Sequence, residues 1–114
     1  MRGGAFHNKM VEEVASVPVV QGWKVETEFC LRSNGVVTFF DVYAIKDGRE
    51  IAVEVETSAR HVVDNVKKAQ AVGVEVWIVV PSRRVKRAAE RRMGERCHAV
   101  CVLLIGKAER ASFV

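Results

Sequence analysis

The chain has few cysteines and lacks any long hydrophobic run, and each shortage excludes a class of protein. Three cysteines among 114 residues form an odd set without framework spacing, so a scaffold held by disulfides is not expected. The apolar stretches fall well short of the roughly 20 residues that a membrane-spanning helix needs. The first ten residues also lack the apolar centre of a signal peptide. We therefore expect a cytoplasmic protein without a membrane partner.

Length and composition predict one globular domain. With 49% hydrophobic and 28% charged residues, the chain has the composition of a folded protein that buries a core. It contains no repeat, low-complexity segment or linker, so residues 1–114 are expected to form a single domain. A second possibility stays open, in which this chain is one domain of a longer polypeptide and a fused domain determines what it acts on.

The segment "CHAVC" near the C-terminus raises the question of a zinc site. Cys97, His98 and Cys101 lie close together in the sequence. No second pair of ligands completes the four that structural zinc usually takes, and Cys101 falls within an apolar run. Buried or reduced thiols are therefore favoured over a zinc site.

Hydrophobic periodicity predicts an α-β-β-β-α-β-α-β order. The first helix carries an apolar stripe of Phe6, Met10, Val14 and Val17. The strands before and after the second helix are expected to be parallel, joined by a right-handed crossover in a mixed sheet. The predicted helices are 5–17, 58–71 and 84–94, and the predicted strands are 23–32, 36–45, 50–57, 74–80 and 99–105.

The hairpin between the second and third strands concentrates negative charge. If Asp47 and Gly48 form a two-residue turn, Asp41 lies directly opposite Glu54, and Glu56 projects from the same face. Like charges at this distance are destabilising, and a raised pKa or a bound cation would relieve the repulsion. A merely solvated face fits poorly, because the acids have no Lys or Arg opposite them. We therefore predict that Asp41 and Glu54 hold a hard divalent cation such as Mg²⁺.

These residues resemble the PD-(D/E)XK nucleases, a superfamily that includes restriction enzymes, Holliday junction resolvases and transposon cleavage subunits. The resemblance covers residues 5–80 and implies a restriction-endonuclease-like α/β fold. That fold has an α-β-β-β-α-β core with a mixed sheet, to which this chain adds a C-terminal helix and strand. By the resemblance, Asp41 is the motif aspartate, Glu54 is the acidic ligand, and Glu56 stands where lysine is most usual. The motif proline is absent, since Phe40 precedes Asp41.

The resemblance also implies an activity and further site residues. It implies a metal-dependent DNA endonuclease that uses Mg²⁺, with Mn²⁺ as a substitute, and in which Glu56 binds the metal or accepts a proton. Some members add a glutamate from the first helix, and Glu13 is predicted because it flanks the apolar stripe while Glu12 points away. Lys67 or Lys68 on the second helix could replace the motif lysine. Gln70 falls on the apolar stripe of that helix, where a structural role is favoured.

Positive charge is concentrated in residues 81–96, in a chain of formal net charge +4. A solvated helix face would look the same, but such a cluster is also typical of a polyanion-binding surface. Arginine contacts to phosphate position DNA without reading its sequence, so structure- or partner-directed cutting is expected. Cutting both strands would need two copies, which predicts a homodimer. The predicted nucleic-acid-binding residues are Arg60, Lys67, Lys68, Arg83, Arg84, Lys86, Arg87 and Arg91.

Two other functions remain open at the level of sequence. The first is a nucleic-acid-binding module that keeps this fold but has lost catalysis, which the missing lysine favours. The second is an unrelated α/β interaction protein whose acids form a partner surface. Divalent-ion binding separates the nuclease from the inactive module. An interaction protein would bind no DNA, and Mg²⁺ would leave its melting temperature unchanged.

Overall fold

The computed structural model describes residues 4–33, 35–95 and 100–104. Within these residues the chain forms three helices and a mixed five-stranded sheet, and the strands lie in the order in which they occur along the chain. The predicted α-β-β-β-α-β-α-β order is confirmed. The elements are α1 (Ala5–Val20), β1 (Lys24–Ser33), β2 (Val36–Lys46), β3 (Arg49–Val55), α2 (Val62–Ala71), β4 (Glu75–Val80), α3 (Arg83–Met93) and β5 (Cys101–Leu104).

Strand directions follow from the lengths of the connections. Strands β1, β2 and β3 form an antiparallel meander through short turns, whereas β3 and β4 are parallel because α2 carries the chain back between them. Strands β4 and β5 are also parallel, across α3. The predicted parallel pairing on either side of the second helix is confirmed.

The turn between β2 and β3 sets the register of the strands that carry the acids. Asp47 and Gly48 have φ angles of 50° and 81°, the combination that a two-residue mirror-image turn requires. Lys46 therefore pairs with Arg49, and the pairing continues without slippage to Val42 and Val53. The predicted hairpin register is confirmed over these residues.

Both faces of the sheet are covered by apolar layers. The layer on the α1 side contains Met10, Val11, Val14, Trp23, Val42, Ala44, Ile51, Val53, Val55, Trp77 and Val79. The layer on the side of α2 and α3 contains Phe40, Tyr43, Ala52, Ala59, Val62, Val66, Ala69, Val76, Ile78, Val80, Ala89 and Met93. This coverage explains why β4 is almost entirely apolar.

Several details of the helices differ from the sequence-based expectation. Phe6 is 59% exposed, because α1 buries the face of Met10, Val11 and Val14 and Phe6 lies to one side of that face. That helix also continues past Pro18 to Val20. In the second helix, the regular turns begin at Val62 and not at residue 58, and Gln70, predicted to lie on the apolar stripe, is exposed.

Two further sequence-based expectations concern a membrane-spanning helix and a zinc site. Among the described residues, no helix combines the length and apolar character needed to cross a membrane. Cys97 and His98, which raised the question of zinc, lie outside the described residues.

Candidate functional site

Three carboxylates are buried in the middle of β2 and at the C-terminal end of β3. Asp41, Glu54 and Glu56 are 3%, 0% and 7% exposed. The main-chain N–H of Glu56 donates to the carbonyl of Val79 at 2.9 Å, so Glu56 continues the pairing of β3 with β4. Burying three ionisable groups is costly unless each has polar partners. The sequence-predicted cluster is therefore formed, and its partners decide what it can do.

Main-chain N–H groups bind the first two carboxylates. The N–H of Asp41 donates to Oε1 of Glu54 at 3.1 Å, and the N–H of Val55 donates to Oδ2 of Asp41 at 2.8 Å. These bonds lie just beyond the pair of Val42 and Val53, where the regular pairing of β2 with β3 stops. Carboxylate oxygens thus accept from main-chain donors at the point where the strands separate. The predicted juxtaposition of Asp41 and Glu54 is present.

A backbone irregularity in β1 lies across from Asp41. Glu28 has a φ of 50°, although β1 and β2 keep one register on both sides of it. A left-handed conformation at a residue other than glycine costs on the order of 1–3 kcal/mol and is frequent at functional sites. On β2, Phe40 and Tyr43 pack in the same apolar layer although they are three residues apart. The usual alternation of side chains is therefore interrupted at Asp41.

Lys68 on α2 is the cationic partner of Glu54. Its Nζ lies 3.4 Å from Oε2 of Glu54, donates to the main-chain carbonyl of Phe39, and lies 5.3 Å from the centre of the Phe40 ring. The lysine side chain is 25% exposed, so it reaches from the surface to a carboxylate with no exposure. Of the two lysines proposed as replacements for the motif lysine, Lys67 is exposed and Lys68 is the one at the acids.

Asn65 holds Glu56. Its side-chain amide donates to Oε1 of Glu56, and only 8% of Asn65 is exposed. Sequence analysis missed this residue, although a signal was available. Asn65 lies three residues after Val62 and four before Ala69, on the buried stripe of α2, where a polar side chain needs a partner.

His7 on α1 approaches the cluster from the opposite side of the sheet. Its Nε2 lies 3.4 Å from Oδ2 of Asp41. Its Nδ1 is buried and has no hydrogen-bond partner among the described residues. Sequence analysis missed His7 as well, and its spacing from Val11 and Val14 on the buried face of α1 was the available signal.

Two cavities give access to the acids. The first, of about 210 Å³, is lined by His7, Asn8, Val11, Glu12, Thr27, Glu28 and Asp41. The second, of about 500 Å³, is lined by His7, Val55, Glu56, Thr57, Ser58, His61 and Asn65. We call them the Asp41 cavity and the Glu56 cavity. Since His7 lines both, the two openings meet at the cluster.

The first helix brings a different glutamate to the site from the one that sequence analysis selected. Glu12 lines the Asp41 cavity, whereas Glu13 is exposed and does not line it. The helical-wheel argument placed Glu13 beside a stripe that began at Phe6. Because the buried face instead centres on Met10, Val11 and Val14, Glu12, which is exposed as Glu13 is, lines the same cavity as Asp41.

The ligand chemistry of the cluster suits a hard cation. Its acidic side chains offer only oxygen ligands, which Mg²⁺ prefers, and Mg²⁺ commonly uses one or two carboxylates together with water. Asp41 and Glu54 could supply that pair. Among the described residues, no group of three or more His, Cys, Asp and Glu side chains is arranged to hold a metal ion. A site here would therefore consist of two carboxylates completed by water.

The predicted DNA-binding residues lie on α2, on the turn before it and on α3, the elements that cover one face of the sheet. Lys86 is half-buried, and Lys68 forms an ion pair with Glu54. The exposed members of the set are Arg60, Lys67, Arg83, Arg84, Arg87 and Arg91. Arg60 and Arg84 share one cavity with Ser58, which also lines the Glu56 cavity. Positive charge thus lies in a cavity that adjoins the Glu56 cavity.

Comparisons with known proteins concern the fold alone. No protein-family model matches the chain, and no curated protein matches it. A crystal structure of a protein of unknown function, AF1548, is similar, with a TM-score of 0.56 and 19% sequence identity. The similarity covers 86% of this chain and 57% of that one, so this chain spans little more than half the length of AF1548.

Proposed function

We propose that this chain is a metal-dependent endonuclease that hydrolyses phosphodiester bonds in DNA, built on a restriction-endonuclease-like fold. The observation that carries the proposal is the fully buried Glu54, which lies beside Asp41 and in contact with Lys68. A purely structural role explains this cluster poorly, because apolar residues of similar volume usually stabilise a core as well or better. The element order and the motif positions of the PD-(D/E)XK superfamily support the same function.

Asp41 and Glu54 would hold Mg²⁺, for which Mn²⁺ would substitute. Such a cation, when bound, polarises the phosphoryl oxygen and lowers the pKa of bound water. The hydrogen bonds from the N–H groups of Asp41 and Val55 fix the orientation of the two carboxylates. Both ligands are therefore held in place before substrate arrives, which reduces the reorganisation that the reaction requires.

Lys68 would take the role of the motif lysine that Glu56 replaces. Its ammonium group, oriented by Glu54 and by the Phe39 carbonyl, has a third hydrogen with which to donate to the attacking water or to the scissile phosphate. Glu56, held by Asn65, faces the Glu56 cavity and would accept the proton from that water. The lysine and the proton acceptor thus come from α2 and β3, and not from a single strand.

An active centre this acidic repels a polyanion, so positive charge must surround it. Arg60, Lys67 and the arginines of α3 would supply that charge by contacting DNA phosphates. Since such contacts do not read sequence, we propose structure- or partner-directed cutting, by a homodimer where both strands are cut. The cytoplasm is the compartment that we propose.

The test is cleavage of end-labelled linear duplex, single-stranded and four-way-junction DNA with Mg²⁺, Mn²⁺ or EDTA. We expect cutting of at least one substrate with Mg²⁺ or Mn²⁺ and none with EDTA, and the preferred substrate would identify the subclass. Size-exclusion chromatography with light scattering in the same buffer would give the oligomeric state. Tight DNA binding without cutting under any of these conditions would contradict the nuclease.

The second candidate is a nucleic-acid-binding module that has lost catalysis. Its specific support is that both oxygens of Glu54 already have partners, namely the N–H of Asp41 and the ammonium of Lys68. A cluster neutralised in this way can persist without a cation. The inactive module predicts DNA binding that neither Mg²⁺ nor substitution of Asp41 alters.

A further inference from the structure

A basic cavity lies between the turn before α2 and one face of α3, from the N-cap of that helix to its last turn. Its volume is about 480 Å³, and it is lined by Ser58, Ala59, Arg60, Ser82, Arg84, Val85, Ala88 and Arg92. We call it the arginine cavity. Among the residues that the structure describes, its lining contains three arginines and no acid, which distinguishes it from the two cavities at the carboxylates. Arg92 and the two serines were not among the residues that the sequence predicted to bind nucleic acid.

The charges around the arginine cavity have no compensating partner among the residues that the structure describes. In the described residues, none of the guanidinium groups of Arg60, Arg84 and Arg92 takes part in an ion pair or a hydrogen bond. Three like charges around one cavity repel each other, and an anion in the cavity would convert that repulsion into attraction. The planar, multi-donor guanidinium group matches phosphate oxygens particularly well.

The two serines add neutral donors to the same cavity. Oγ of Ser58 accepts the N–H of Arg60 at 3.4 Å, and Oγ of Ser82 accepts the N–H of Val85 at 3.2 Å. Because each hydroxyl acts as the acceptor in these bonds, its hydrogen remains available for a further acceptor. Ser82 also caps α3, whose first N–H groups carry partial positive charge. Charged and neutral donors therefore line one cavity, and no carboxylate of the described residues lines it with them.

The arginine cavity adjoins the candidate active centre. Ser58 lines both the arginine cavity and the Glu56 cavity, so a ligand in one lies next to a ligand in the other. We propose that the arginine cavity binds a phosphate of the nucleic-acid strand that neighbours the phosphate cut at the acids. This inference rests on the proposed function, and it assigns the substrate contact to Arg60, Arg84 and Arg92 together.

Two sources of that phosphate share the same chemistry. One is an internal phosphodiester of a continuous strand, and the other is a terminal phosphate monoester at a strand end. Ala59, Val85 and Ala88 give the cavity an apolar side against which a sugar could pack in either case. The experiment must therefore separate the sources as well as test the cavity.

The test measures binding of a fluorescently labelled oligonucleotide by fluorescence anisotropy, in EDTA so that no cleavage occurs. The variant Arg84→Gln/Arg92→Gln removes two charges from the cavity. Its control, Lys24→Gln/Arg32→Gln, removes two exposed charges on β1, from residues that neither line the cavity nor belong to the predicted DNA-binding set. We expect the cavity variant to raise Kd at least about tenfold. The slope of log Kd against log salt concentration should fall by about two, since each lost phosphate contact reduces that slope by about one. The control should raise Kd less than about threefold, as expected for long-range charge alone.

Oligonucleotides of one sequence with hydroxyl or phosphate ends separate the two sources. An equal loss on both forms would assign the cavity to an internal phosphodiester, and a loss confined to the phosphate-ended form would assign it to a strand end. Equal losses for the cavity variant and its control would overturn the proposal, as would unchanged binding by both. Because this assay contains no metal, its outcome does not depend on whether the wild-type chain cleaves DNA.

Discussion

Glu54→Gln is expected to reduce metal-dependent DNA cleavage by at least about 1,000-fold, because losing one charged ligand forfeits several kcal/mol of transition-state stabilisation. The amide keeps the shape of the side chain and can still accept the N–H of Asp41, but it carries no charge with which to hold a cation. Asp41→Asn is expected to have an effect of the same order. Single-turnover cleavage rates at saturating protein measure both effects without a contribution from product release.

The control for this prediction is Glu26→Gln. Glu26 is an exposed acid on β1, so its substitution makes the same change in net charge away from the cluster. Its cleavage rate should stay within about twofold of wild type, as expected for a distant surface charge. DNA binding in EDTA should persist for all three variants, which would show that they are folded. A Glu54→Gln protein that retains more than a tenth of the wild-type rate would contradict the assigned role of Glu54.

Lys68→Met is expected to lower the free energy of unfolding by about 2 kcal/mol, because it leaves the buried carboxylate of Glu54 without its cationic partner. The value lies below that of a fully buried pair, since Lys68 is a quarter exposed and its Nζ is 3.4 Å from the carboxylate. If Asp41 and Glu54 bind Mg²⁺, the added cation should restore part of the lost stability. Urea unfolding with and without Mg²⁺ measures both quantities.

Two companion variants make this prediction specific. Lys67→Met changes a neighbouring exposed lysine and should alter stability by less than about 0.5 kcal/mol. The double variant Lys68→Met/Glu54→Gln also removes the carboxylate charge that has lost its Lys68 contact, so it should be more stable than Lys68→Met alone. If the double variant is instead the less stable of the two, Glu54 and Lys68 do not depend on each other.

The part of the site that local chemistry determines was predictable from sequence. Asp47-Gly48 supports positive φ at both turn positions, and this one turn sets which residues of β2 and β3 face each other. From that register alone, Asp41 and Glu54 were expected to meet, and the N–H of Asp41 does donate to Glu54. Strand register is predictable here because a slip by one residue would turn every buried side chain to the other face.

The part of the site that depends on helix packing was not predictable to the same degree. Lys68, Asn65 and His7 reach the acids only because α2 and α1 pack on opposite faces of the sheet with particular rotations. From the sequence, no Lys or Arg lay opposite the acids on the neighbouring strand, so a raised pKa or a bound cation was expected to relieve their repulsion. Lys67 or Lys68 was considered only as a replacement for the motif lysine. The structure shows that α2 supplies part of that compensation through Lys68.

The choice between Glu12 and Glu13 depends on the rotation of α1 about its own axis. The two residues are adjacent on α1, so their directions differ by about 100° around the helix axis. Including Phe6 in the apolar stripe moved the predicted buried face toward Glu13, whereas Phe6 is exposed in the structure. The left-handed conformation of Glu28 could not be predicted from sequence either, because no local sequence pattern specifies positive φ at that position.

The most direct test of this account is calorimetric titration of the wild-type chain with Mn²⁺ in the absence of DNA, repeated with Asp41→Asn and Glu54→Gln. If the buried acids form a cation site, the wild type binds Mn²⁺ saturably, both substitutions weaken that binding at least tenfold, and Glu26→Gln leaves it unchanged. Binding that all the variants share, or no binding at millimolar Mn²⁺, would contradict a metal centre at Asp41 and Glu54.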